Sequence, residues 1–349
     1  MKRYRLAMIG FGNVGQGLAQ ILRERGAALA QAQGAAFQIV AVSDLLKGSL
    51  YDPEGLDPAA LLAAVQDAPQ GEKPLQRVAA PHQDWDALRT IDESNADIIL
   101  EMSYTDLQTG EPALTHIRRA LKNGRHVVTT NKGPTALYFP ELKRLAEEND
   151  VELGVEGTVM SGTPALRLGM ELLSGAGIHR VQGILNGTTN YILTQMEAGA
   201  AYEEALAEAQ AKGYAEADPS GDVEGHDAAG KVVILANLLL DLPLTMSDVA
   251  CEGITGLAPE DIRAARNAGE RWKLIGMVQR DEQGHSASVR PTRLPISHPL
   301  ASVSGATNAI TYSTDLLGEV TLVGPGAGRV ETGYALLGDM LGIHRRIGD

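Results

Sequence analysis

Through the first third of the chain, short runs of apolar, mostly β-branched residues alternate with segments of helical period, the pattern of a parallel sheet linked by crossover helices. Residues 5–9 predict a first strand and 14–30 a first helix. Further strands are expected at 37–43, 96–101, 126–129 and 151–155, and helices at 111–122 and 135–149. A polar stretch with prolines and glycines at 45–76 reads as a decorated crossover holding a short helix at 58–65. After Gly157 the pattern changes. Helical periods cover 163–173, 188–198, 202–211 and 222–240, and strand-like runs lie at 178–185, 274–279, 285–294, 309–313 and 319–323. Grouped in this way they predict an α+β second domain. A glycine-rich turn opens a last helix at 328–341, and no internal repeat is present.

A chain of 349 residues is long for one core and comfortable for two. Its net charge of −14, with no block of lysines or arginines, repels phosphate backbones and anionic lipid, so nucleic-acid and membrane-surface partners are not expected. The single cysteine, Cys251, permits no intrachain disulfide, which fits a reducing compartment, and it reads as a small buried apolar residue. The apolar run at 6–9 is too short for a secretion signal, and the longest one, 232–240, is about half a membrane span. The expectation is a soluble, cytoplasmic protein.

Gly10-Phe11-Gly12-Asn13-Val14-Gly15 forms G-x-G-x-x-G directly after the first strand and at the mouth of a helix. The glycines permit a tight turn and close backbone approach to a pyrophosphate, and the helix N-terminus offers free N–H groups to it. A Rossmann-type dinucleotide-binding first domain is the expectation, with a structural glycine turn as the plainer alternative. Asp44, at the end of the second strand, could accept hydrogen bonds from an adenosine ribose and so favour NAD; Lys47 could instead face a 2′-phosphate. A solvated loop carboxylate is the plainer account of Asp44.

The densest chemistry lies at 213–231, GYAEADPSGDVEGHDAAGK, with Glu216, Asp218, Asp222, Glu224 and Asp227 ahead of Lys231. Asp227 and Lys231, four apart, share a helix face, as a surface ion pair would. Yet Lys231 opens the most apolar helix of the chain, and a partly buried lysine has the adjustable proton affinity that a proton donor needs. A second constellation, Thr129-Thr130-Asn131-Lys132-Gly133-Pro134, follows a strand at the sheet edge where open α/β sheets bind ligands; Lys132 there is either a ligand contact or an exposed helix-entry lysine. The third, around Asn186, Gly187 and Thr188, runs a strand into a helix N-terminus suited to a carboxylate, or simply capped by its own side chains.

Taken together, GFGNVG, TGEPAL, NGRHVVTTNKGP, VEGTVMSGTP, GILNGTTNYIL, GYAEADPSGDVEGHDAAGKVVILAN and GPGAG resemble homoserine dehydrogenase along nearly the whole chain. The fold so implied is α/β: a Rossmann-type NAD(P)-binding domain over residues 1–155, completed by a C-terminal segment at 325–349, and an α+β substrate-binding and dimerisation domain over 156–324. By the same resemblance Glu216 and Asp227 bind the amino-acid substrate, with Asp222, Asn186, Gly187 and Thr188 beside them. Lys231 is the proton donor, and Lys132 sits between nicotinamide and substrate. Ser103, Gly213 and Gly326 join Gly10–Gly15 as cofactor contacts, and the backbone carbonyls of Glu156, Val159, Ser161 and Thr163 hold a structural sodium ion. A homodimer is implied as well. Two departures stand out: AGRVETG follows Gly326 where the family more often has a proline before the threonine, and the chain stops at Asp349, short of the regulatory ACT domain of longer members. Threonine feedback through such a domain is therefore not expected.

The implied reaction interconverts L-homoserine and L-aspartate-4-semialdehyde by hydride transfer with NAD(P). Three rivals frame that reading. A related amino-acid-pathway oxidoreductase would have no reason to keep the 213–231 array. An idle NAD(P)-sensing module needs neither lysine. A metal-dependent hydrolase lacks a histidine pair at ligand spacing, since His226 is alone among the acids.

Overall fold

The computed structural model describes residues 1–66, 68–69, 71–282 and 284–347. Residues 67 and 70 of the expected crossover, and 348–349 of the expected C-terminal segment, lie outside the described residues. Two compact units divide the chain, Met1–Thr158 with the segment from Gly328 onward, and Val159–Ala327.

In the first unit, seven strands among the described residues form one sheet in the order β4-β3-β2-β1-β5-β6-β7. They are β1 (Lys2–Ile9), β2 (Ala35–Asp44), β3 (Gly48–Tyr51), β4 (His82–Gln83), β5 (Ile98–Glu101), β6 (His126–Thr129) and β7 (Leu153–Gly154). The helices are α1 (Asn13–Gln33), α2 (Pro58–Val65), α3 (Ala87–Glu93), α4 (Ala113–Lys122) and α5 (Lys132–Glu148). Strands β2, β1, β5, β6 and β7 are parallel, while β3 and β4 add an antiparallel edge. The expected parallel sheet is therefore mixed. The polar stretch after Asp44 turns back through Gly48, whose φ of 96° closes the hairpin, instead of crossing over at once.

Among the described residues the second unit holds a six-stranded sheet, β13-β12-β8-β10-β11-β9. Its strands are β8 (Ile178–Ile184), β9 (Ala250–Cys251), β10 (Glu270–Asp281), β11 (Gly284–Pro295), β12 (Thr307–Thr314) and β13 (Gly318–Pro325). With them lie α6 (Ala165–Arg167), α7 (Gly187–Ala198), α8 (Tyr202–Ala211), α9 (Ser220–Val223), α10 (His226–Leu239) and α11 (Pro259–Asn267). Helix α12 (Arg329–Ile347) then returns to the first unit.

Three expectations need correction here. The helix at 163–173 is a three-residue α6 followed by a π turn, Leu168–Leu172. The helix at 222–240 is two, because Gly225, with φ 88°, breaks the run between α9 and α10. Cys251, taken for core, is exposed on the outermost strand of its sheet.

The core of the first unit follows the pleat. Leu6 and Met8 of β1 pack on one face with Leu18 and Leu22 of α1 and Leu336, Met340 and Ile343 of α12. Ala7 and Ile9 pack on the other with Ile117 and Leu121 of α4 and Leu142 of α5. Helices thus cover both faces of the sheet. Among the described residues no helix is long and apolar enough to cross a membrane.

Candidate active site

At the carboxyl edge of the first sheet, Gly10 turns the chain out of β1 with φ 96°, and a Cβ there would stand 2.5 Å from the Met102 carbonyl oxygen. A side chain is excluded on both counts. Gly12 begins α1 without a side-chain cap, and a Cβ on it would meet nothing within 4 Å. Close backbone approach at Gly12 is therefore unobstructed by a side chain, and the uncapped N-terminus of α1 suits a pyrophosphate. Gly15 is buried behind this loop, with Met8 and Phe11 against it, while Asn13 and Val14 form the first residues of the helix.

Asp44, at the end of β2, grips the loop from the side. Its Oδ2 accepts the Phe11 N–H at 2.7 Å, and its Oδ1 accepts the N–H groups of Leu46 and Lys47 at 3.0 and 2.8 Å. Lys47 Nζ lies 3.8 Å from Oδ2. Asp44 is thus no solvated loop carboxylate: its side chain is 11% exposed. Further along the same edge, Ser103 follows β5 and Lys132 opens α5, half-buried, behind the cap Asn131, whose Oδ1 accepts the Gly133 N–H at 3.2 Å. Asn131 Nδ2 also donates to the carbonyls of Ser103 (3.2 Å) and Tyr104 (2.9 Å). Sequence reasoning left Asn131 without a role, although an asparagine directly before a helix is a cap signal.

In the second unit the residues from 186 to 231 converge on one amide. Asn186 caps α7, its Oδ1 accepting the Thr189 N–H at 2.9 Å. Its Nδ2 donates to Asp222 Oδ1 at 2.6 Å and to Asp227 Oδ2 at 3.0 Å. Lys231 Nζ reaches the same Asp227 oxygen at 2.7 Å and the Leu185 carbonyl at 2.6 Å. With side chains 9% and 20% exposed, Lys231 and Asp227 are not a surface pair. Burial, and next the negative charge of Asp227, raise the Asp222 carboxyl above its ordinary range, against the opposing hydrogen bond from Asn186. Two carboxylates and an ammonium held this way suit a small molecule that carries an ammonium and a polar oxygen.

Around that cluster, Thr188 Oγ1 donates to the Tyr214 carbonyl at 2.7 Å, and Gly187 lies against the Ala306 carbonyl. Glu216 is not drawn in: it is exposed, and its carboxylate makes no hydrogen bond among the described residues. Gly213, with φ 73°, is an exposed turn after α8, and Gly326 lies on the amide of the buried Asn308. Of the residues read as sodium ligands, Glu156 belongs to the first unit, where its N–H donates to Asp339 Oδ2 at 2.9 Å. Val159, Ser161 and Thr163 begin the second unit on a turn with two successive left-handed residues, Met160 (φ 59°) and Ser161 (φ 56°). The Thr163 carbonyl there accepts the Ala165 N–H at 2.7 Å. Among the described residues no three His, Cys, Asp or Glu side chains form a metal cluster.

The family model described as the homoserine dehydrogenase NAD binding domain matches residues 10–156, and the one described as homoserine dehydrogenase matches residues 164–341. A relative from Pseudomonas canavaninivorans, an NAD(+)-dependent homoserine dehydrogenase, is 49% identical over 99% of this chain and 97% of its own. A homoserine dehydrogenase from Methanocaldococcus jannaschii is 39% identical over 97% of this chain and 98% of its own. The solved structure of a hyperthermophilic archaeal homoserine dehydrogenase in complex with NADPH superposes with a TM-score of 0.83 at 29% identity, over 99% of this chain and 98% of that one. A glycine loop ready for a dinucleotide in one unit, acids around a buried lysine in the other, and relatives matched end to end carry one conclusion: the chain belongs to the homoserine dehydrogenases, NAD(P)-dependent oxidoreductases that interconvert L-homoserine and L-aspartate-4-semialdehyde.

Proposed function

We propose that Lys231 is the proton donor of this reaction and that the Asn186–Asp222–Asp227 cluster holds the substrate's ammonium group. The observation that carries the assignment is the buried contact of Lys231 Nζ with Asp227 at 2.7 Å. Bound NAD(P) supplies the hydride or takes it up. In the reducing direction negative charge grows on the carbonyl oxygen of the semialdehyde, and the Lys231 ammonium stabilises it and delivers the proton. Asp227 holds that ammonium in place. Lys132 adds a supporting positive charge, and Glu216 is read, with Asp227, as holding the substrate's ammonium or hydroxyl. We assign the first unit to the cofactor and the second to substrate and to pairing with a second copy of the chain. Light scattering that gives a monomer mass would remove the pairing.

Preference for NAD is part of the same proposal. Asp44 presents a half-buried carboxylate whose charge opposes a 2′-phosphate, while Lys47 is already engaged with it. A sodium ion on the carbonyls of Val159, Ser161 and Thr163 completes the proposal, and the successive left-handed residues there are the kind of strain found at ligand-binding turns. A melting temperature unchanged between sodium and potassium buffers would remove the ion. The protein is assigned to the cytoplasm, a reducing compartment that its single cysteine fits.

The test is an absorbance assay at about 340 nm with L-homoserine, run separately with NAD and NADP. Reduction of NAD by homoserine, but not by serine or threonine, is expected, with kcat/KM for NAD at least about tenfold above that for NADP. Equal use of both cofactors would refute the Asp44 argument and leave the substrate assignment standing.

A further inference from the structure

At the carboxyl end of β5 the apolar run Ile98-Ile99-Leu100 ends in Glu101, a carboxylate with no exposed surface at all. Burying that charge costs several kcal/mol unless it is well partnered. Three donors meet on one of its oxygens. Oε1 accepts the Ser103 N–H at 3.2 Å, the Ser103 hydroxyl, and His116 Nδ1 of α4 at 3.3 Å. Oε2 is buried with no hydrogen-bond partner among the described residues. A carboxylate kept only to pin β5 to α4 would need one bond to His116, and an apolar residue would fill the place at less cost.

Instead, two of the three donors belong to Ser103. From its other side Ser103 is held by Asn131, which takes its carbonyl at 3.2 Å. Its N–H and C=O are therefore both fixed by buried side chains, at the sheet edge where ligands of open α/β folds bind. We propose that Glu101 is a positioning residue for the cofactor, holding Ser103 in place to receive the nicotinamide half of NAD(P). The inference rests on the reading of Ser103 as a cofactor contact.

The experiment is a double-mutant cycle on the equilibrium Kd for NADH, read by fluorescence titration of the full chain without substrate. Glu101→Leu, which removes both carboxylate oxygens, is expected to raise Kd about tenfold, and Ser103→Ala to raise it by a similar factor. The double variant is expected to be no weaker than the weaker single. Glu101→Gln, which keeps an acceptor for Ser103, is expected to recover most of the affinity. Should Glu101→Leu fail to fold, Glu101→Asp takes its place, withdrawing the carboxylate by one methylene. Wild-type Kd for the Glu101 variants, with Ser103→Ala weakened, overturns the proposal and leaves the Ser103 reading intact. A silent Ser103→Ala defeats that reading and the proposal with it. Additive losses would mean that Glu101 acts through something other than Ser103, which also overturns it.

Discussion

Asp222 sits where its own charge is unwelcome, half-buried beside a second carboxylate with one amide between them. Its folded-state pKa is raised above the ordinary 3.8, so the folded chain holds a proton there that the unfolded chain releases more readily. Stability from this group is therefore present at low pH and falls as pH rises through that interval. Asp222→Asn should raise the melting temperature near about pH 7, and the gain should shrink as pH is lowered toward the ordinary carboxylate range. The same substitution removes a charge from the ammonium site, so KM for homoserine should rise about tenfold or more. A lower melting temperature at neutral pH would show that Asp222 is stabilised where it lies. Lys231 makes the complementary case. Lys231→Ala should cut kcat by about a hundredfold or more while the Kd for NADH hardly moves. Matching losses in both would mean that the lysine supports the fold and not the proton transfer.

At the scale of elements, α7 does two jobs through one residue. Asn186 ends the strand-to-helix turn by capping Thr189, and the same side chain ties both acids to the helix mouth. The jobs separate by substitution. Asn186→Ala should cost about 1 kcal/mol of stability for the lost cap and raise KM for homoserine. Asn186→Ser keeps a capping oxygen, so urea unfolding should return to within about 0.5 kcal/mol of the parent chain, yet KM should stay high. Recovery of KM by serine would reduce Asn186 to a cap. What the sequence made legible here was local. The cap, the i,i+4 spacing of Asp227 and Lys231, and the glycine loop after β1 are all written within a few residues of themselves. That one amide serves acids 36 and 41 positions downstream is a property of packing, and no local period carries it. Elements were hidden for similar reasons. Strand β3 has four residues, Gly48–Tyr51, too few to show a period inside a polar stretch. The break at Gly225 hid because a helical pattern runs through a glycine unmarked, while φ 88° appears only in three dimensions. Glu101 read simply as the end of a strand, since burial of a charge leaves no mark on the pattern.

For the whole molecule, the last helix belongs to the first unit. Leu336, Leu337, Met340 and Ile343 of α12 fill the same core as Leu6, Met8 and Leu18. Each such side chain contributes about 1.5–3 kcal/mol by burial, so four together approach the entire stability of a typical domain, about 5–15 kcal/mol. Polar contacts add to the fit: Tyr4 Oη lies 3.0 Å from His344 Nδ1, and Arg346 pairs with Glu152 at 2.7 Å. A chain ended after Ala327 should therefore lose the cooperative unfolding of the first unit and its NADH binding, although every residue of the glycine loop remains. Such a loss alone could be a general effect of truncation. The sharper test moves the helix without removing it. Lys2 Nζ donates to the Ile347 carbonyl at 3.0 Å, so the end of α12 lies beside the start of β1. A permuted chain that begins at Gly328 and joins 347 to the original N-terminus through a short flexible linker keeps every contact of the unit while reversing the order in which its parts are made. It should bind NADH within about threefold of the parent. If it folds but binds no NADH, the glycine loop depends on the native connection at 327–328 and not on the packing of α12, and the account of this unit as one core closed by the chain's last helix would have to be given up.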